Sequence, residues 1–89
     1  MINEELMQEL EDNECLLADG YEGALIGLSE GGNPVAVYDS NKCIEILVKE
    51  DKMSYEDAME HFYYNTVGSY VGDKTPIFIK RYPSLFQRE

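Results

Sequence analysis

The sequence predicts an α+β protein in which a small antiparallel sheet of about three strands packs against two or three helices. One observation is the segment 35–79, where residue patterns follow the order strand, helix, helix, strand. A second is the cluster of turn-forming residues at 29–34, which separates two apolar runs and indicates a β-hairpin over 24–38. Because a chain of 89 residues has room for one hydrophobic core, residues 1–89 are predicted to form a single domain.

The acidic segment 1–15 predicts an N-terminal helix, whose helical pattern covers residues 3–12. Asn3 is a suitable N-cap, and Glu4 and Glu5 follow it where the helix dipole favours negative charge. The apolar positions recur at a spacing of four residues: Ile2, Leu6 and Leu10. This stripe is narrow, so the helix is expected to need a partner surface.

Three short apolar runs predict the strands. The runs 24–28 and 35–38 form the two arms of the hairpin, and Pro34 lies at the start of the second arm, where a missing N–H does least harm. The run 76–79 predicts the third strand. The tail 82–89 has no periodic pattern and is expected to be disordered.

Two helices are predicted between the hairpin and the last strand. The first is capped by Asp39 or Ser40 and extends to about Glu50. The second is predicted over 54–67, with Ser54 near its start. The positions of this helix expected to face the core follow a helical period: Tyr55, Ala58, Met59, Phe62 and Thr66.

The charge of the chain is strongly negative, with a formal net charge of −11 from 18 acidic and 7 basic residues. Such a body repels nucleic acid backbones and anionic membrane surfaces, so direct nucleic acid binding and membrane binding are not expected. No apolar run approaches the roughly 18 residues that a membrane span needs. The expected location is the cytoplasm, with Cys15 and Cys43 either free thiols or a disulfide pair.

Three residue clusters have side chains that take part in catalysis or ligand binding in other proteins. Glu56, Asp57, Glu60 and His61 could hold a metal ion, but a solvated helix face with an Asp57–His61 pair is favoured because a second cluster of ligands is lacking. A pairing of Cys43 with His61 as nucleophile and base has no supporting pattern. We therefore predict no catalytic residue, no metal, no cofactor and no enzymatic activity.

The segment 68–75 is close to the pattern of a phosphate-binding loop. Asp73 stands at the position of the second glycine, where its charge would oppose a phosphate, and Pro76 prevents a helix from following. The segment is therefore predicted to be a helix C-cap followed by a turn.

Tyrosines and glutamates are the candidate interaction residues. Aromatic side chains on more than one face of the helix 54–67 exceed what one core face needs, and tyrosine is favoured at interfaces. The predicted interaction surface consists of Tyr55, Tyr63, Tyr64, Tyr70, Glu4, Glu5 and Glu9.

Three segments, with a part of the region before the hairpin, resemble a group of short uncharacterised proteins encoded by tailed bacteriophages. They are VYDSNKCIEIL at 37–47, MSYEDA at 53–58 and NTVGSYVGDKTPIF at 65–78, together with 19–27. The similarity spans about two thirds of the chain. It implies a phage origin and a bacterial host, and it carries no catalytic residue or ligand.

Two functions follow as expectations. The first is a small acidic accessory protein that binds another protein, with its carboxylates mimicking the charge of a nucleic acid. The alternative is a homo-oligomeric structural module, without enzymatic activity, that self-assembles through the tyrosine-rich helix and the last strand.

Overall fold

Three α-helices and three short strands make up the computed structural model, which describes residues 3–82. A 3₁₀ turn precedes the first strand, and a π-helix extends the third α-helix. The elements are α1 (Glu4–Asp12), the 3₁₀ turn (Glu22–Ala24), β1 (Leu25–Leu28), β2 (Ala36–Asp39), α2 (Ser40–Glu50), α3 (Tyr55–His61), the π-helix (Phe62–Val67) and β3 (Ile77–Ile79). The predicted α+β class is confirmed.

The sheet has the strand order β1-β2-β3 and is mixed. Strands β1 and β2 form the predicted antiparallel hairpin, with Leu25 opposite Tyr38 and Leu28 opposite Ala36. Strand β3 runs parallel to β2, so the prediction of a purely antiparallel sheet was wrong. The reason is the connection: α2, α3 and the π-helix carry the chain across the sheet and return it to the end at which β2 began.

Side chains cap each α-helix at its N-terminus. Asn3 Oδ1 accepts a hydrogen bond from the backbone N–H of Leu6 at 3.1 Å, and Ser54 Oγ accepts one from Asp57 at 3.1 Å. For α2 the cap is Asp39 rather than Ser40, because Asp39 Oδ1 accepts from the N–H of Lys42 at 3.2 Å.

The N-terminal helix predicted over 3–12 is present as α1, Glu4–Asp12, within the segment 1–15. It ends at Asp12, and Glu14 has a φ of 56°, in the left-handed region that stops a helix from continuing. The tail 82–89 was predicted to be disordered. From position 83 onward it lies outside the described part of the chain.

The predicted helix over 54–67 contains two kinds of helix. Its second half, Phe62–Val67, has the wider π-helical hydrogen bonding. Ala58 and Phe62 are fully buried as predicted, but Tyr55 is 63% exposed, so its assignment to the core was wrong. Tyr55 lies in the first turn of α3, and side chains of a helix lean toward its N-terminus, which directs this ring past the helix end.

The core lies between one face of the sheet and the helices. Tyr38 of β2 is 1% exposed, and its ring stacks on that of Phe78 of β3 with 5.4 Å between the ring centres. The rings of Phe62 and Phe78 pack edge to face, with 5.3 Å between their centres. The buried core cluster also draws on all three α-helices: Leu10, Tyr21, Ala24, Ala36, Tyr38, Cys43, Ile44, Leu47, Ala58 and Phe62. This packing fixes which side chains are left to contact other molecules.

Candidate protein-binding surfaces

Helix α1 presents a row of carboxylates. Its apolar residues Leu6, Met7 and Leu10 pack against the core, so the remaining side of the helix faces solvent. The exposed acidic residues of this side are Glu4, Glu5, Glu9, Glu11 and Asp12. The ion pairs within residues 3–82 involve other carboxylates, those of Asp39 and Glu45, so this row is not neutralised there.

The four candidate tyrosines belong to other elements than the acidic row. Tyr55, Tyr64 and Tyr70 are 63%, 78% and 75% exposed, and Tyr63 is partly covered by packing against Phe62. They belong to α3, the π-helix and the loop after it, whereas α1 packs against β1. The predicted interaction surface is therefore divided between separate elements.

One face of the sheet carries apolar side chains that the sequence patterns did not assign to a surface. Val37 and Ile77 are register partners on the side of the sheet opposite Tyr38 and Phe78. This open sheet face consists of Ile26, Val37, Ile77 and Ile79, and none of the four belongs to the core cluster or packs against it. Ile26, Ile77 and Ile79 are each about 40% exposed. The alternation in 77–79 was the available signal, but it could not reveal which side the helices cover.

A cleft with two chemically different ends runs beside the π-helix. Its apolar end, a cavity of about 480 Å³, lies between the segment after α1 and the loop before β3. The apolar residues that line it are Leu16, Leu17, Val71, Pro76 and Phe78.

The acidic end of the cleft is a cavity of about 650 Å³ next to the 3₁₀ turn and the C-terminal end of α2. Four carboxylates line it: Asp19, Glu22, Glu50 and Asp51. Lys and Arg are absent from its described lining, and His61 is the one basic side chain there. We call the two ends together the acidic–apolar cleft.

The π-helix joins the two ends. Asn65 and Thr66 line both cavities, as do Asp19 and Tyr21 from the opposite wall. The Tyr21 and Thr66 hydroxyls are 3.1 Å apart and form a hydrogen bond across 45 positions of sequence. Burial raises the pKa of the Tyr21 hydroxyl above its ordinary value, so at neutral pH this bond joins two uncharged groups.

The carboxylates of α3 and His61 were the possible metal ligands in the sequence. Within residues 3–82, no three His, Cys, Asp or Glu side chains have an arrangement that could hold a metal ion. His61 Nδ1 is 3.3 Å from the amide nitrogen of Asn65, so the predicted Asp57–His61 pair is replaced by this contact. Glu56, Asp57 and Glu60 are exposed, as a solvated helix face requires.

Both cysteines are free thiols. Cys43 is fully buried, and burial, aided by the nearby Asp39 carboxylate, raises the pKa of its thiol to about 12. The thiol is thus protonated at neutral pH and unsuited to act as a nucleophile. Cys15 donates a hydrogen bond from Sγ to the carbonyl oxygen of Pro34 at 3.3 Å.

The loop 68–75 is a turn that satisfies its own polar groups. The hydroxyl of Thr75 accepts a hydrogen bond from the N–H of Val71 at 2.9 Å and donates one to the carbonyl of Gly72 at 2.6 Å. Gly72 has a φ of 115°, which a residue with a side chain rarely adopts. Because the chain then enters β3, the prediction of a C-cap and turn is confirmed.

None of the described helices is long and apolar enough to cross a membrane. No protein-family model matches the chain, and comparisons with curated proteins and with solved structures found no significant match.

Proposed function

We propose that this protein is a small acidic accessory protein, of the phage type that its sequence resembles, which acts in the bacterial cytoplasm by binding a basic protein. It has no enzymatic activity in this proposal. The observation that carries it is the solvent-facing row of five carboxylates on α1. The row presents a set of negative charges. A partner that normally binds the phosphates of a nucleic acid would bind these charges instead.

The charge density of α1 supports this mimicry. Five carboxylates on a helix of nine residues, at a rise of about 1.5 Å per residue, give roughly one charge per 2.7 Å of helix axis. The corresponding spacing is about 1.7 Å for duplex DNA and about 3.4 Å for one of its strands. The linear charge density of the row on α1 is therefore lower than that of duplex DNA and higher than that of a single strand.

The test is affinity capture from bacterial lysate with quantification of the retained proteins. We expect a basic, nucleic-acid-binding protein to be retained at about 50 mM salt and largely lost at about 200 mM, as for other contacts dominated by charge. The triple variant Glu4→Gln, Glu5→Gln, Glu9→Gln should retain less of it, and added duplex DNA should compete.

The control removes the same charge elsewhere, with Glu30→Gln, Glu56→Gln and Glu60→Gln, all exposed positions outside α1. It should capture as much partner as the unchanged protein. The proposal fails if no basic protein is retained at low salt, or if the two triple variants behave alike.

The open sheet face supports a second candidate function, a homo-oligomeric structural module. Its side chains are apolar where a sheet facing water usually carries polar residues. Two copies could pack these faces together at the usual spacing of about 10 Å between stacked sheets.

Analytical ultracentrifugation tests the homo-oligomer. A dimer at micromolar concentration that becomes a monomer in the variant Ile77→Thr, Ile79→Thr would support it, because threonine keeps strand propensity while removing apolar surface. A monomer in the unchanged protein eliminates it.

A further inference from the structure

We infer that the acidic–apolar cleft binds a segment of a partner protein in which an aliphatic or aromatic side chain lies within a few residues of Lys or Arg. This site is distinct from the carboxylate row of α1, and the inference does not depend on that row. Three features of the cleft support it: the adjacency of its two ends, the exposure of its apolar end, and the absence of Lys and Arg from the described lining of its acidic end.

The adjacency of the two ends follows from residues that line both cavities. Asp19 and Tyr21 on one wall, with Asn65 and Thr66 on the other, line both ends. The two ends are therefore adjacent, and the hydrogen bond between the Tyr21 and Thr66 hydroxyls joins the two walls. A peptide segment has the length and the variety of side chains to fill both.

The apolar end leaves large aliphatic side chains in contact with water. Leu16 and Leu17 are each 43% exposed and Val71 is 62% exposed, although all three line one concave surface. Concave apolar surfaces of this kind are typical of sites that bury an apolar side chain of a ligand. The wall is also held in place, because the N–H of Ala18 donates to the buried Tyr38 hydroxyl at 2.8 Å.

The acidic end determines the charge of the ligand group that can bind there. Its four carboxylates have no Lys or Arg among the described residues that line the cavity, and the ion pairs within 3–82 are formed elsewhere. A cationic side chain would complement them, whereas a phosphate or a carboxylate would be repelled. A nucleic acid is thereby disfavoured as the occupant, and a basic peptide is favoured.

The two ends together select against simpler ligands. A polyamine would satisfy the carboxylates and leave Leu16, Leu17 and Val71 exposed, and an apolar small molecule would leave the charges uncompensated. A segment that combines both kinds of side chain matches the whole surface.

The test uses four fluorescein-labelled peptides of equal length, whose binding is followed by fluorescence anisotropy. One contains Leu and Arg, and in the others Leu is replaced by Ser, Arg by Gln, or both are replaced. We expect the Leu/Arg peptide to bind about tenfold more tightly than either single replacement, because each loses contact with one end.

Two cleft variants assign the contacts. Leu16→Ser with Val71→Ser should weaken the Leu/Arg peptide about tenfold and leave the Ser/Arg peptide unchanged. Glu50→Gln with Asp51→Asn should reduce the preference for Arg over Gln about fivefold. All four side chains are exposed, so folding should be retained, and urea unfolding midpoints check this.

The matched controls are Glu30→Gln with Glu56→Gln for charge and Ile79→Ser for apolar surface, and neither should change the binding of any peptide. The inference is overturned if no peptide binds, if basic peptides bind equally with and without Leu, or if the cleft variants bind like the unchanged protein.

Other occupants give different outcomes, each of which also overturns it. Spermidine is added as a competitor of the labelled Leu/Arg peptide. If it displaces that peptide as effectively as the unlabelled Leu/Arg peptide displaces it, then only the acidic end is used. A dimer that dissociates in the Leu16→Ser, Val71→Ser variant would make the cleft a contact between two copies. Loss of peptide binding in the Glu4→Gln, Glu5→Gln, Glu9→Gln variant, to the extent seen in the cleft variants, would assign the binding to α1.

Discussion

The buried hydroxyl of Tyr38 accepts a hydrogen bond from the backbone N–H of Ala18 at 2.8 Å. Tyr38 occupies the central strand and is 1% exposed, whereas Ala18 belongs to the irregular segment between α1 and β1. This bond fixes the segment that carries Leu16 and Leu17 to the centre of the sheet. One wall of the acidic–apolar cleft is thus positioned by a core residue.

Replacing Tyr38 with Phe should destabilise the protein by about 1–2 kcal/mol. The ring and its packing on Phe78 are kept, but the half-buried N–H of Ala18 loses its partner. Urea denaturation monitored by circular dichroism measures the change. The control is Tyr82→Phe at a ring that is 77% exposed, which should alter the free energy of unfolding by less than about 0.5 kcal/mol. Equal effects of the two substitutions would show that the hydrogen bond contributes nothing.

The edge strand β3 depends on a hydrogen bond from α2. Ser40 is buried, and its hydroxyl donates to the carbonyl oxygen of Ile79 at 2.6 Å. Ser40→Ala should cost about 1–2 kcal/mol and speed the amide hydrogen exchange of β3, because the carbonyl is left without this donor. The same substitution at Ser69, whose hydroxyl bonds to Asn65 on the surface, should be nearly neutral. Unchanged exchange in β3 after Ser40→Ala would contradict the prediction.

Local chemistry made most of the fold predictable. The caps Asn3 and Ser54 and the breakers at 29–34 act on residues close in sequence, so their effects could be identified without the structure. The direction of β3 could not be predicted from the sequence, because it depends on how two helices cross the sheet. The change to π-helical bonding at Phe62 also had no signal, and it shifts the faces that later residues present.

The candidate surfaces were less predictable than the fold. The carboxylate row of α1 lies within one helix, so its exposure followed from the apolar stripe on the other side. The acidic–apolar cleft unites Leu16 with Val71 and Asp19 with Glu50, pairs that are far apart along the chain. Such a site depends on tertiary packing, and no spacing in the sequence encodes it.

The buried thiol of Cys43 should resist alkylation in the folded protein. It is fully buried, and its raised pKa, about 12, leaves very little of the reactive thiolate at pH 8. In a Cys15→Ser variant, which leaves Cys43 as the remaining thiol, iodoacetamide labelling followed by mass spectrometry should proceed only as fast as the protein unfolds. Labelling as fast as in denaturant would show that the thiol is accessible.

The same thiol should make the stability fall at alkaline pH. Its pKa is about 12 when folded and near the ordinary 9.0 when unfolded, so between these values the unfolded state has lost a proton that the folded state keeps. The unfolded state then binds fewer protons, and the free energy of unfolding decreases as pH rises, by up to about 1.4 kcal/mol per pH unit. The contribution is fully present below about pH 9. Burial also raises the pKa of Tyr21 and Tyr38, which adds to the decrease above about pH 10.

Urea unfolding at a series of pH values between about 7.5 and 9 isolates the Cys43 part, because Tyr21 and Tyr38 stay largely protonated there even in the unfolded chain, where their pKa is the ordinary 10.0. We expect Cys43→Ala to flatten this dependence, since alanine has no proton to lose. A small cavity at position 43 lowers the stability at every pH without altering the slope. Equal slopes in Cys43→Ala and the unchanged protein would mean that other groups cause the alkaline destabilisation.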